Sequence, residues 1–178
     1  MQLSAEGLEL IKRFEGFRGQ LYIDVAGFPT IGYGHRVVPP ESFPSEAFPN
    51  GLSEPQAANL LASDVSAAER AVGNLVKVAL TQGQCDALVD FCFNLGAGRL
   101  KNSTLLRCLN AGRYDAAAEQ LLLWDLANGE VNLGLKARRE AELRFWKAAA
   151  PTCQANPSLQ PPQIGVAPHP LPPPPRPQ

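Results

Sequence analysis

The chain has 178 residues, enough for one domain or two small lobes with a substantial hydrophobic core. Apolar residues make up 45% of it, a share typical of globular rather than disordered proteins. The formal net charge is -1, so the chain lacks the overall positive charge that marks nucleic-acid-binding proteins.

The N-terminal segment predicts an amphipathic helix. Ser4 is suited to cap it, and the apolar residues Leu8, Ile11 and Phe14 recur at helical spacing. The segment does not begin with basic residues followed by an apolar core, so we expect neither a signal peptide nor a membrane anchor. We therefore expect synthesis in a host cytoplasm, with a separate route to any target outside it.

A β-hairpin is predicted after this helix, because two β-prone runs flank a turn. The runs are 21–23 and 30–33, and the turn lies at 25–27. The segment 36–51 follows and contains four prolines. A loop of this length is typical either of a functional lid or of an irregular excursion, and both interpretations remain open.

The remainder of the domain predicts helices. Ser53 opens a long helix that runs through Val72, and Thr81 opens another with a capping-box pattern. Shorter helices are expected at 103–109, 114–124 and 135–149. Because the strand signal is confined to residues near 20–35, the predicted fold class is α+β. A small N-terminal lobe with a β-hairpin would be joined by a long helix to a larger helical lobe.

The predicted catalytic domain covers 1–150, and a proline-rich tail covers 151–178. Within the domain we expect the small lobe at about 1–62, the linking helix at 63–80 and the helical lobe at 81–150. The tail holds eleven of the seventeen prolines, a composition that favours extended polyproline II. It is expected to be a disordered or semi-rigid extension, with a docking peptide as the alternative.

The cysteines are Cys85, Cys92, Cys108 and Cys153. Cys85 and Cys92 are seven residues apart on one predicted helix, too far for a mutual disulfide. The spacing contains no paired zinc-binding pattern, and we expect neither a metal nor an organic cofactor. Reduced, mostly buried thiols are expected, with a disulfide that involves Cys108 or Cys153 as the alternative.

Glu15 and Asp24 suit the cleavage of a glycosidic bond. This reaction needs a carboxylic acid that protonates the leaving oxygen and a second carboxylate across the sugar ring. Glu15 lies between Phe14 and Phe17, an apolar setting that would keep it protonated, whereas Asp24 lies beside the turn and is better solvated. Thr30 is expected to face Asp24 across the hairpin and hold a water. Spacing alone leaves open a purely structural role for these acids.

The segment 13–35 resembles the signature of the phage T4-type lysozymes, the endolysins of glycoside hydrolase family 24. In that family a Glu is followed after eight residues by an Asp, after five more by a Thr, and then by Ile-Gly-x-Gly-His. Glu15, Asp24, Thr30 and the segment 31–35 meet this pattern. Later family blocks are similar to 93–96, 102–105 and 134–139, so the resemblance covers residues 4–148.

This resemblance implies a muramidase that hydrolyses the β-1,4 bond between N-acetylmuramic acid and N-acetylglucosamine in bacterial peptidoglycan, with inversion at the anomeric carbon. Glu15 would be the proton donor, Asp24 the second carboxylate, and Thr30 would position the attacking water. Sugar or peptide contacts are implied at Arg36, Phe93, Ser103 and Gln120. The implied cleft lies between the two lobes.

His35 is expected to form a structural, charge-assisted pair with Asp64 on the linking helix, with a role as catalytic base as the alternative. Three cations, Lys136, Arg138 and Arg139, open the last helix. A solvated face is one interpretation of them. The other, for which we choose Arg139, is that one cation reaches the cleft and pairs with Glu15 or with substrate carboxylates.

Two other functions compete with hydrolysis. In a lytic transglycosylase the muramyl 6-hydroxyl replaces water, but that mechanism runs with one carboxylate, so Asp24 and Thr30 argue against it. A non-catalytic wall-binding relative would not need the acid, the base and the threonine. We expect a monomer that acts on glycan strands of the cell wall after phage-type release, without nucleic acid and without stable membrane insertion.

Overall fold

The computed structural model of the protein describes residues 1–24, 27–37 and 50–148. Its first helix, α1, is Ala5–Glu15 and buries Leu10 and Ile11 on one face. The Ser4 hydroxyl caps it by accepting a hydrogen bond from the Gly7 amide at 3.0 Å. Gly16, with φ of 71°, ends the helix, so Glu15 is its last residue.

A three-stranded antiparallel sheet follows, in the order β1-β2-β3. The strands are β1, Arg18–Ile23, β2, Pro29–Gly32, and β3, His35–Arg36. In this register Thr30 of β2 lies opposite Tyr22 on one side and Arg36 on the other. The predicted hairpin is therefore present. The turn residues 25–26 and most of the predicted 36–51 loop lie outside the described residues.

The long helix α2, Glu54–Leu75, crosses the domain and buries one stripe of small and branched side chains. The members of this stripe are Ala57, Leu61, Val65, Ala68 and Val72. Ser53 and Gln56 form a capping box at its start. The long helix predicted to open at Ser53 and run through Val72 is therefore present. The assignment of 63–80 as the linking segment and the division into lobes stay predictions.

The helical part of the fold is built around α3, Gln82–Leu95, whose residues 85–92 are all buried. The helices around it are α4, Ala97–Asn102, α5, Thr104–Asn110, α6, Tyr114–Leu121, and α7, Leu133–Lys147. α3 approaches α7 so closely that a methyl group at Gly83 would overlap the Phe145 carbonyl oxygen. Only glycine fits this helix crossing.

The structure corrects the expectation that strands are confined to residues near 20–35. Two short strands, β4, Leu126–Ala127, and β5, Glu130–Val131, pair antiparallel before α7. Asn128 and Gly129 connect them with φ of 54° and 83°. An Asn-Gly pair at positive φ is the residue combination that a two-residue hairpin turn favours. The helix predicted at 114–124 consequently ends at Leu121.

Three cysteine side chains lie in the core. Cys92 and Cys108 are buried free thiols, and the buried Cys85 thiol lies 3.7 Å from the Gln2 carbonyl oxygen. Burial raises the pKa of Cys92. Because Cys108 is a free thiol, the predicted alternative of a disulfide at Cys108 is not seen. Cys153 and the proline-rich tail lie outside the described residues. None of the helices described here is long and apolar enough to cross a membrane.

Candidate active site

Glu15 lies where α1, the turn between β2 and β3, and α7 meet. The Arg138 Nη1 of α7 donates a hydrogen bond to Glu15 Oε1 at 2.7 Å. A Cβ atom at Gly34, in the turn, would lie 3.7 Å from Glu15 Oε2. The Glu15 side chain is 25% exposed, whereas that of Arg138 is only 5% exposed. The carboxyl group therefore has one face toward solvent and one toward a buried cation.

This setting corrects the expectation of an apolar environment for Glu15. The Phe14 ring contacts the cation rather than isolating the acid, since the Arg138 guanidinium lies 5.5 Å from the ring centre. A guanidinium beside a carboxyl group favours the ionised form of that group. The neighbouring positive charge, and not an apolar pocket, is the main electrostatic feature of the Glu15 site.

Asp90 of α3 holds Arg138 from the opposite side. Arg138 Nε donates to Asp90 Oδ2 at 3.1 Å, and Arg138 Nη2 donates to Asp90 Oδ1 at 2.6 Å. The Asp90 side chain is fully buried. Burial by itself lowers the pKa of Arg138, but the hydrogen bonds and charge of Asp90, together with Glu15, raise it above its ordinary value. Arg138 is therefore a permanently charged bridge between the two acids.

Asp24 lies at the other end of the hairpin, directly after β1. Its Oδ1 accepts a hydrogen bond from the Phe28 amide at 2.8 Å, and its Oδ2 lies 3.0 Å from Arg36 Nη2. The Arg36 guanidinium also covers the Phe28 ring at 4.6 Å. The Arg36 side chain is 53% exposed and that of Asp24 is 17% exposed, so the cation of this pair lies at the surface while the acid is partly buried.

Thr30 lies in the middle of the sheet, between the strand that leads to Asp24 and the strand that carries Arg36. It is buried, and its hydroxyl donates to the Phe28 carbonyl oxygen at 3.0 Å. The hydroxyl oxygen can still accept a hydrogen bond. Its predicted contact with a water molecule stays a prediction.

The contacts of the two acids lie close together along the chain. Glu15 meets the turn at Gly34, and Asp24 meets β3 at Arg36. An acid from the end of a helix and an acid from a hairpin thus flank one short segment of the sheet.

A family model described as phage lysozyme matches residues 12–142, a range that includes Glu15, Asp24, Thr30, Asp90 and Arg138. The chain belongs to the phage lysozyme family. This membership and the mixed helical fold with its small antiparallel sheets confirm the predicted α+β lysozyme-like class.

Individual phage lysozymes and endolysins match most of this chain. The endolysin of Bacillus phage B103 is 43% identical over 145 residues, which cover 80% of this chain and 52% of that protein. The endolysin of Salmonella phage P22 is 38% identical over 145 residues, 82% of this chain and 98% of that protein. A P22 lysozyme mutant of known structure has a TM-score of 0.75 at 37% identity, with coverage of 83% and 99%. The chain spans about half the length of the Bacillus phage endolysin.

In this member of the phage lysozyme family, Arg139 is not the cation that meets Glu15. Its side chain is fully buried, and its Nη2 lies 2.7 Å from Glu142 Oε1 and 2.9 Å from Asn94 Oδ1. Successive side chains on a helix point about 100° apart, so only one of the two adjacent arginines can face Glu15. The predicted pairing of Arg139 with Glu15 or with substrate is corrected accordingly: Arg138 makes the contact.

Glu142 is a buried acid beside both arginines. Burial is the main cause that raises its pKa well above the ordinary value, and the negative charge of Asp90 adds to the effect. Its contact with Arg139 lacks hydrogen-bond geometry, while a hydrogen bond between Glu142 and Asp90 also raises the pKa of Glu142. Burial also lowers the pKa of Arg139. Burial therefore favours the neutral form of Glu142.

His35 of β3 contacts Asp64 of α2, in the arrangement expected for the structural pair. The Nδ1 atom of His35 lies 2.8 Å from Asp64 Oδ2 and 3.0 Å from Asp64 Oδ1. The pair joins the sheet to the long helix. Its geometry places His35 toward α2, and the role of the pair stays a prediction.

The other predicted substrate contacts differ in their surroundings. Phe93 and Gln120 are half-buried on α3 and α6. Ser103 is buried, and its hydroxyl accepts from the Leu106 amide at 3.0 Å and donates to the Leu100 carbonyl at 2.7 Å. The Ser103 hydroxyl is thus engaged as the N-cap of α5. Substrate contacts at these positions stay predictions.

A groove of about 650 Å³ lies elsewhere, on the outer face of α7, and includes Lys136, Glu140 and Arg144. These residues project opposite to Arg138, so the groove is not adjacent to the acids. We assign the site to Glu15 and Asp24 because the reaction needs their carboxyl groups, and the shape of a groove alone does not supply them. Within the described residues, no three His, Cys, Asp or Glu side chains converge in a metal-binding arrangement.

Asp90 was missed as a functional residue by sequence reasoning, and Arg138 was considered with two other cations but not chosen. Asp90 interrupts the apolar run 87–92 on a helix that is otherwise suited to burial. An acidic residue is almost never fully buried without a partner. That signal could have indicated that a cation from another element lies against it.

Proposed function

We propose that this protein is a muramidase-type endolysin that hydrolyses the β-1,4 bond between N-acetylmuramic acid and N-acetylglucosamine in peptidoglycan. The observation that carries the proposal is the pair of acids, Glu15 and Asp24, which flank one short segment of the sheet in a chain of the phage lysozyme family. The endolysin names of the relatives support the same activity.

The proposed reaction assigns a different step to each acid. Protonated Glu15 donates its proton to the glycosidic oxygen as the bond to the anomeric carbon breaks. A water molecule attacks that carbon from the opposite face, and Asp24 accepts the proton that the water loses. Thr30 would orient this water. Inverting glycosidases keep their carboxyl groups about 6.5–9.5 Å apart to make room for it.

The decisive experiment compares wall lysis by the wild type with lysis by Glu15→Gln. The amide cannot donate the required proton, so we expect a loss of at least about 100-fold in the rate of turbidity decrease of purified cell walls. Glu6→Gln is the matched control, because Glu6 is an exposed acid on the same helix. Full lysis by folded Glu15→Gln, or none by the wild type, would refute the proposal.

The products distinguish hydrolysis from transglycosylation. Hydrolysis adds one water and leaves a reducing N-acetylmuramic acid end, whereas attack by the muramyl 6-hydroxyl leaves an anhydro end that is lighter by one water. We expect the reducing end in mass spectra of digested walls. Anhydro ends would favour the lytic transglycosylase alternative.

We also propose that the enzyme acts as a monomer on the wall after release from the host cytoplasm. Family membership and the endolysin relatives support a phage-type enzyme that acts on the wall. Sedimentation at assay concentration tests the first part. A stable dimer would contradict it.

A further inference from the structure

If Glu15 is the acid, as the proposed function requires, its surroundings place two conflicting demands on it. Glu15 must carry a proton to act, yet Arg138 lies 2.7 Å from its carboxyl group. An opposite charge at this distance favours the carboxylate, which has no proton to donate. A useful orienting contact would therefore weaken the acid unless another group offsets the charge of the arginine.

Asp90 occupies the position from which this offset can act. Arg138 directs Nε and Nη2 toward Asp90 and only Nη1 toward Glu15. Asp90 is fully buried, so water screens its interaction with Arg138 much less than it would at the surface. The hydrogen bonds from two Arg138 nitrogens to Asp90 also fix the plane of the guanidinium, and with it the direction of the hydrogen bond to Glu15.

We propose that Asp90 is a positioning residue for the acid: it clamps Arg138 and offsets its charge, so that Glu15 is oriented without being forced to ionise. Asp90 has no contact with the reacting atoms in this role. It acts through Arg138 alone.

The other charged groups of the cluster are consistent with this assignment. Arg138 is faced by Glu15 from α1, Asp90 from α3, and Arg139 and Glu142 from its own helix. Burial favours the neutral form of Glu142 there. Of the described acids, Asp90 alone meets two nitrogens of Arg138, so its loss would leave the positive charge next to Glu15 without that partner.

The test is the pH profile of wall lysis for Asp90→Asn. The amide keeps the size of the side chain but not its charge, so Glu15 should lose its proton at lower pH. The alkaline limb of the profile is the range in which lysis falls as the pH rises and Glu15 loses its proton. We expect its midpoint to shift to lower pH by about half a unit or more. The combined Asp90→Asn/Glu142→Gln variant, in which Glu142 cannot ionise in place of Asp90, should shift it at least as far.

A second variant makes the opposite prediction. Asp90→Asn/Arg138→Met removes both members of the buried pair, so no buried charge is left without a partner. Without the cation, Glu15 should keep its proton to higher pH, and the alkaline limb should move above that of the wild type. A residue that merely supports the fold would not move the limb in opposite directions in the two backgrounds.

Glu142→Gln is the control, because burial favours the neutral form of Glu142 and its ion-pair partner is Arg139 rather than Arg138, so the limb should stay in place. All variants are assayed on one wall preparation at one salt concentration, so titration of the substrate is common to them. A wild-type limb in both Asp90 combinations, or the same shift in all variants including Glu142→Gln, overturns the inference. That result leaves the proposed function standing as long as Glu15→Gln alone abolishes lysis.

Discussion

Two arginine–carboxylate pairs flank the site, and they differ in where they lie. Arg138 contacts Glu15 with a side chain that is 5% exposed and gripped by a buried aspartate, whereas Arg36 contacts Asp24 with a side chain that is 53% exposed. The distances, 2.7 Å and 3.0 Å, are similar. The comparison teaches that the surroundings of an ion pair, more than its length, decide whether it fixes a side chain or yields to a ligand.

The energetic consequences differ in the same way. An exposed pair contributes about 0–1 kcal/mol, because water screens the charges and the ordering of long side chains opposes the contact. Removal of one partner from a buried pair costs about 3–5 kcal/mol, because the other charge stays buried alone. The helix end should thus respond to substitution as part of the core, and the hairpin end as part of the surface.

The largest expected effect is on activity at the hairpin end. Asp24→Asn removes the proposed proton acceptor, so we expect wall lysis to fall by about 100-fold or more. The free energy of unfolding should change by only about 1 kcal/mol, since the Arg36 partner of the lost ion pair is exposed and the Asn oxygen can still accept from the Phe28 amide. Turbidity assays and urea denaturation measure the two quantities, with the exposed Asp115→Asn as the matched control. A loss of lysis that only parallels unfolding would argue against a catalytic role.

The second effect is on stability at the helix end. Arg138→Met leaves Asp90 buried without its cation, and we expect the free energy of unfolding to fall by about 3–5 kcal/mol. The double variant Asp90→Asn/Arg138→Met should recover most of this loss, because it removes both charges together. Urea denaturation of the three proteins is the measurement. A double variant as unstable as the single one would show that the contact is not a matched buried pair.

The smallest effect is expected from Arg36→Leu. The substitution breaks only the exposed pair, so the free energy of unfolding should change by less than about 1 kcal/mol and the change should shrink further in high salt. Thermal unfolding at low and high salt checks it. A loss above about 2 kcal/mol would erase the distinction between the two ends of the site.

Local sequence signals predicted much of the fold. Ser4 and Thr81 are helix N-caps in the structure because each side chain accepts from a backbone amide that would otherwise lack a partner. At Ser53, the Gln56 side chain accepts from the Ser53 amide instead. The hairpin followed from two β-prone runs on either side of a turn. The β4–β5 hairpin was overlooked because its strands have two residues each, too few for any periodicity. Its Asn128-Gly129 pair, which favours a two-residue hairpin turn, could have predicted it.

The site was predictable only in part, for a geometric reason. The acids stand in one short motif, and His35 was matched to Asp64 through the family resemblance. Arg138 and Arg139 point about 100° apart on α7, so the rotation of the helix about its axis decides which one faces Glu15. The sequence does not fix that rotation when both positions carry a cation. Asp90 is 48 residues from Arg138, and no local pattern links residues so far apart.

The close crossing at Gly83 has a consequence for protein design. Asp90 belongs to α3 and Arg138 to α7, and the absence of a side chain at Gly83 lets the backbones of these two helices touch at Phe145. The distance from the Asp90 carboxylate to the Arg138 guanidinium therefore depends on the spacing between the axes of α3 and α7, and not on the two residues alone. Anyone who grafts this acid into a new helical scaffold would have to copy the crossing along with the side chains.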